Sequence, residues 1–220
     1  MSEQEKHKPH RRLSAEERRR RLLTASLNVM KREGIAGTST RAICAEAGMP
    51  HGAFHYCFRS KRELYAALLA GDMEIDLDDT WPKISPAASP RENIRELLLA
   101  YWAQIESDPD AQLVLYDLGS FVLRDPELQE LPAWQHRASL HRATEYITRL
   151  RDEAGLEYLC EERAIAELVT THLDGVAWSW LAHRDDAATH ANLERFAELL
   201  AGLTRRHVAV EDSHTFEPAP

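Results

Sequence analysis

The chain has 220 residues, 44% of them hydrophobic and 29% charged, with a formal net charge of −9. No run approaches the roughly 18 apolar residues of a membrane span, and the basic start has no apolar segment behind it, so it does not read as a secretory signal; a soluble, cytoplasmic protein of one or two domains is expected. The charge is split: residues 1–64 hold 14 Lys+Arg against 7 Asp+Glu, and residues 65–220 hold 13 against 29, the pattern of a basic module that meets a polyanion, attached to an acidic body that does not.

Residues 1–12 are polar and basic without apolar periodicity and predict a flexible tail. Ser14 and Glu17 stand at capping-box spacing, where each side chain can bond the other residue's backbone N–H. A helix follows over 15–32, with Leu23, Leu27 and Met30 on one stripe, and Gly34 ends it. Thr38 or Ser39 can cap a second helix over 40–47, which turns Ile43 and Ala47 inward and closes at Gly48. Pro50, tolerated in a first helical turn, opens a third over 50–56, and a fourth begins after Ser60. Helix, tight glycine turn and short helix is helix-turn-helix spacing, and the second helix of such a unit enters the major groove with its N-terminal residues at the base edges.

Residues 76–90 are acidic and then rich in Pro and Ser, and read as a connector. Long helices follow over 91–107, 110–124, 127–153, 161–184 and 188–208, with no strand-like alternation, and 211–220 read as a loose tail. The fold class expected is all-α: an N-terminal helix-turn-helix domain over 13–75, its reading unit at 39–58, and a larger all-helical domain over 76–210. Cys44, Cys57 and Cys160 form no CxxC pair and read as ordinary thiols in a reducing compartment; no metal site and no cofactor is expected.

The stretch from Gly34 to Leu69 resembles the N-terminal signature of the TetR family of transcriptional repressors. The matching features are Gly34-Ile35, Thr/Ser before Arg41, Ala45-Glu46-Ala47-Gly48, Gly52, Phe54, the aromatic pair His55-Tyr56, Phe58, Lys61 and Leu64. Pro50 stands where the family usually has Ser, His55 where it has Tyr, and Cys57 where it has His or Tyr. The resemblance implies contact with double-stranded DNA through Ser39, Thr40, Arg41, Pro50, His51, Gly52, Ala53, His55, Tyr56 and Lys61. Arg41 can grip a guanine edge with two hydrogen bonds, His51 is the best polar reader, Ala53 can meet a thymine methyl, and His55, Tyr56 and Lys61 can meet phosphates. A cation at the start of the fourth helix opposes the helix dipole, which a nearby phosphate would explain.

The resemblance further implies a homodimer through the last two long helices, with Leu168, Gly175, Val176 and Phe196 at the interface, and a small-molecule effector inside the helical body. Tyr101, Trp102, Tyr116, Trp134, His141, Tyr146, His172 and Trp178 are the candidate lining, a mix that suits an apolar cavity with few polar points. The expected function is a ligand-responsive repressor on a palindromic operator. A helical adaptor is the alternative, which absent or salt-insensitive DNA binding would favour. An enzyme is disfavoured by the lack of HExxH, GxSxG and phosphate-loop motifs.

Overall fold

The computed structural model describes residues 13–69 and 77–206. Both expected tails, the end of the fourth helix and the start of the connector lie outside the described residues. Those described form nine α-helices, one short 3-10 turn and two three-residue strands.

α1 (Ala15–Gly37) starts as its sequence indicates: Glu17 N–H donates to Ser14 Oγ at 3.0 Å. The reciprocal half of the capping box is missing, because the Glu17 carboxylate accepts from Arg20 and Arg21 instead. Gly34 breaks the helix internally with φ 71° and ψ 169°, a region open essentially to glycine alone, and Ile35–Gly37 make one further turn. Thr38 ends that turn, its N–H donating to Ile35 O and its hydroxyl to Gly34 O. α2 (Thr40–Glu46) is capped by Ser39, whose Oγ accepts from Ala42 N–H at 3.1 Å. α3 covers only Ala53–Cys57, so Pro50 and His51 precede it; Pro50 O accepts from Ala53 N–H, making a turn where the sequence predicts a first helical turn. α4 (Lys61–Leu69) is tied at its start by Ser60 Oγ, which accepts from Glu63 N–H, while Glu63 accepts from Arg59 N–H.

Two compact units divide the chain. The first takes the described residues up to 69 together with 108–136; the second takes 77–107 and 137–206. The first unit is thus larger than a 13–75 module. α6 (Pro109–Arg124) and the 3-10 turn Pro126–Leu128 join it because Val114, Leu118, Val122 and Leu128 belong to the same buried cluster as Leu22, Leu23, Ile43, Phe54, Phe58 and Leu64. α1 packs against α2, α3, α4 and α6.

The second unit is built on α5 (Pro90–Ser107), the greater part of α7 (Glu130–Ala154), α8 (Glu162–His183) and α9 (Asp186–Ala201). Ile94, Leu97, Leu98 and Trp102 of α5 are buried, as are Leu193, Phe196, Ala197 and Leu200 of α9, and these two helices pack together. Asn93 staples the preceding loop to α5, donating to Ser85 O and accepting from Ser85 N–H. The last helix stops at Ala201 rather than 208. It gives way to a strand, β2 (Thr204–Arg206), antiparallel to β1 (Leu156–Tyr158), with Leu156 opposite Arg206. This ribbon is the exception to the all-helical expectation. No described helix is long and apolar enough to cross a membrane.

Candidate nucleic-acid interface

α3 is short, and its position is set by what lies beneath it. Phe54 and Phe58 are 0% and 1% exposed, their rings 5.6 Å apart, and burying each is worth about 1.5–3 kcal/mol. Arg19 of α1 closes the other end: its guanidinium donates to Cys57 O at 3.2 Å and lies 4.5 Å over the Phe58 ring. A helix end leaves carbonyls without partners, and Arg19 satisfies one of them. Arg19 is thus a structural prop, whereas Arg20 and Arg21 stay exposed and pair with Glu17.

With its inner face fixed, the unit turns the remaining side chains outward. Ser39, Arg41, Pro50, His51, Gly52, His55 and Tyr56 are exposed, and Thr40 and Ala53 are half-buried. Tyr56 is 90% exposed, which excludes packing against α1 as its role. Gly48 makes the α2–α3 turn at φ 65°, where a side chain is strained. The His51 ring has Nε2 3.2 Å from Thr40 Oγ1 and meets His55 edge-on at 6.0 Å. The residues of this group that sequence singles out are therefore neighbours in space; the Thr40–His51 pairing has no sequence signal, because eleven residues separate the two.

Lys61 is different. Its ammonium donates to Thr38 O at 2.7 Å and sits 5.5 Å from the Tyr65 ring. A backbone carbonyl accounts for a cation at the start of α4 without a phosphate, although an ammonium has two further N–H donors.

The eight effector candidates do not share one environment. Trp102, fully buried, meets the edge of Trp180 at 5.4 Å and donates from Nε1 to Glu106. Tyr146 lies against Trp81, and its hydroxyl accepts from Leu77 N–H. His172 stacks on Phe196 at 3.7 Å and bonds Asn192. Burial pushes its imidazole below the usual histidine range, against the opposite pull of the Asn192 bond. Tyr101 and Tyr116 are half-buried, whereas His141, Trp134 and Trp178 are exposed, the last by 63%. Two surface hollows, of about 290 Å³ between α1 and α2 and about 610 Å³ beside Phe121 and Asp117, are lined by none of the eight. No group of metal-ligating side chains occurs among the described residues.

On α8 and α9, Val176 and Phe196 are spent inside the chain's own core. Leu168, Gly175 and Trp178 share one exposed face of α8 at helical spacing, and Leu199 of α9 is 69% exposed. The exposure of Trp178 and Leu199 is the feature that sequence reading misses, since both fit an internal apolar position equally well.

Residues 22–68 match the family model described as bacterial regulatory proteins, tetR family. The chain is 30% identical over 121 residues to the HTH-type nicotine-responsive transcriptional repressor HdnoR of Paenarthrobacter nicotinovorans. That stretch spans 54% of this chain and 62% of the relative. Among solved structures, the multidrug binding protein EbrR complexed with imidazole superposes with a TM-score of 0.56 at 23% identity, covering 91% of this chain and 97% of the other. A TetR-family transcriptional regulator from Agrobacterium tumefaciens gives 0.57 at 22%, covering 85% and 99%.

Proposed function

We propose, from the match of residues 22–68 to the tetR family of bacterial regulatory proteins, that the chain is a DNA-binding transcriptional regulator of that family, a repressor that leaves a near-palindromic operator when a small organic molecule binds its helical body. The observation that carries this reading is the exposed edge made by Arg41 of α2, His51 and Gly52 of the turn before α3, and Tyr56 of α3, a short helix anchored from beneath by the fully buried Phe54. Such an edge offers hydrogen-bond donors and a close backbone approach from a support that does not yield.

The role of each residue follows from its chemistry. Arg41 and His51 contact base edges, Ala53 a thymine methyl, and His55 and Tyr56 the phosphates; Ser39 stays occupied as a cap. Two copies pair through the exposed faces of α8 and α9, and the two-fold axis presents two readers to half-sites about 34–36 Å apart. An effector releases the protein only if it binds the DNA-incompatible arrangement better than the DNA-compatible one. The relatives support the existence of an effector: one is named nicotine-responsive and another is complexed with imidazole and with ethidium.

The test is a duplex-binding measurement on DNA selected from a random library, repeated across salt concentration and with nicotine, imidazole and ethidium as effector probes. Binding that weakens steeply with salt is expected, as is loss of the complex with at least one small organic molecule. Failure to select any duplex refutes the assignment.

A further inference from the structure

Thr40 opens α2 and His51 lies in the turn before α3, and the two meet on the surface assigned above to DNA. Thr40 is the first residue of α2, and its hydroxyl lies 3.2 Å from His51 Nε2. His51 is also held through its backbone, whose carbonyl accepts from the Cys44 thiol at 3.4 Å, and its ring stands edge-on to His55. One ring nitrogen is thereby engaged within the protein, which leaves Nδ1 as the ring's other hydrogen-bonding atom.

In a neutral imidazole one nitrogen donates and the other accepts. The sense of the bond to Thr40 therefore dictates the sense of Nδ1. We infer that Thr40 is a positioning residue for base recognition: its hydroxyl donates to His51 Nε2, which places the ring proton on Nδ1 and aims an N–H donor at a purine N7 in the major groove. This rests on the DNA-binding reading above.

One observation and two physical arguments favour that sense. Capping of α2 is already performed by Ser39, whose Oγ takes the Ala42 N–H, so the Thr40 hydroxyl is not needed there. Threonine is stiff at χ1, so the hydroxyl holds the ring in a narrow range of orientations. A duplex surrounds the site with phosphate oxygens and purine acceptors, which attract an outward N–H and repel an outward lone pair.

A binding site is selected from a random-core double-stranded library, and affinities are then measured on all its single-base variants. The proteins compared are wild type, Thr40→Val, Thr40→Ser, His51→Ala and the Thr40→Val/His51→Ala double variant. Thr40→Val is expected to lower discrimination roughly three- to ten-fold, at the base pair where His51→Ala lowers it and nowhere else. Thr40→Ser retains the preference, and the double variant is no worse than His51→Ala. A 7-deaza purine at that base pair weakens wild type but not His51→Ala. Evenly spread losses with Thr40→Val, additive losses in the double variant, or indifference of wild type to the 7-deaza base overturn the inference while leaving DNA binding intact. A wild-type protein that selects no duplex removes the DNA reading itself.

Discussion

At the scale of single residues, burial separates structural duties from recognition. Tyr56, 90% exposed, has no packing duty, so Tyr56→Phe should leave stability within about 0.5 kcal/mol of wild type, as surface changes usually do. The same change should weaken DNA binding several-fold on every sequence alike, which titration against the selected site and its variants will show. Lys61 carries an internal bond to Thr38 O, so Lys61→Met, which keeps the stem and removes the charge, should cost about 1 kcal/mol in urea unfolding. Its phosphate role is read separately from the slope of log affinity against log salt: the slope should fall by about one, and an unchanged slope would leave Lys61 with the carbonyl alone. Sequence points to Lys61 as a cation in need of a partner, but a carbonyl 23 residues away leaves no trace in a local pattern.

At the scale of elements, local chemistry is legible wherever the partners are a few residues apart. Ser14, Ser39 and Ser60 each cap the helix that follows them, as spacing predicts. Gly34 ends the regular part of α1 because its conformation is closed to other residues. Gly34→Ala should therefore destabilise the protein by about 1–3 kcal/mol. Nothing lies within 4 Å of the added methyl group, so the whole cost is backbone strain, measurable as a lowered urea midpoint at unchanged slope. Pro50 is where local chemistry misleads: a proline suits a helix's first turn and a tight turn alike, and here it makes the turn before α3. The β1–β2 ribbon is illegible for a different reason. Leu-Glu-Tyr and Thr-Arg-Arg are too short to show alternation, and the pairing joins residues about fifty apart in sequence. Aromatic side chains in a helix are equally ambiguous: Trp102 and Trp178 look alike in sequence, yet one is fully buried and the other mostly exposed.

For the whole molecule, the exposed apolar face of α8 with Leu199 of α9 is the surface on which the proposed pairing depends. Trp178→Glu adds a charge to a side chain that is 63% exposed in the single chain, so the fold should tolerate it. If two copies meet there, the charge is desolvated on association and sedimentation should show a monomer at concentrations where wild type is dimeric. Affinity for a two-half-site duplex should then drop by two or more orders of magnitude, as expected when a linked second contact is lost, while a single half-site is bound as before. An unchanged sedimentation coefficient places the contact between copies elsewhere.

The strand pair ties the entrance of α8 to the exit of α9, with Glu157 and Arg205 bridged across it at 2.9 Å. The last two helices are thus laced shut at their open end, as a drawstring closes a bag. Shortening the gene from its 3′ end should therefore fail abruptly once it cuts into residues 204–206. A stop after 203 strips β1 of its backbone partners, and protease resistance of the α8–α9 hairpin should collapse across those three codons.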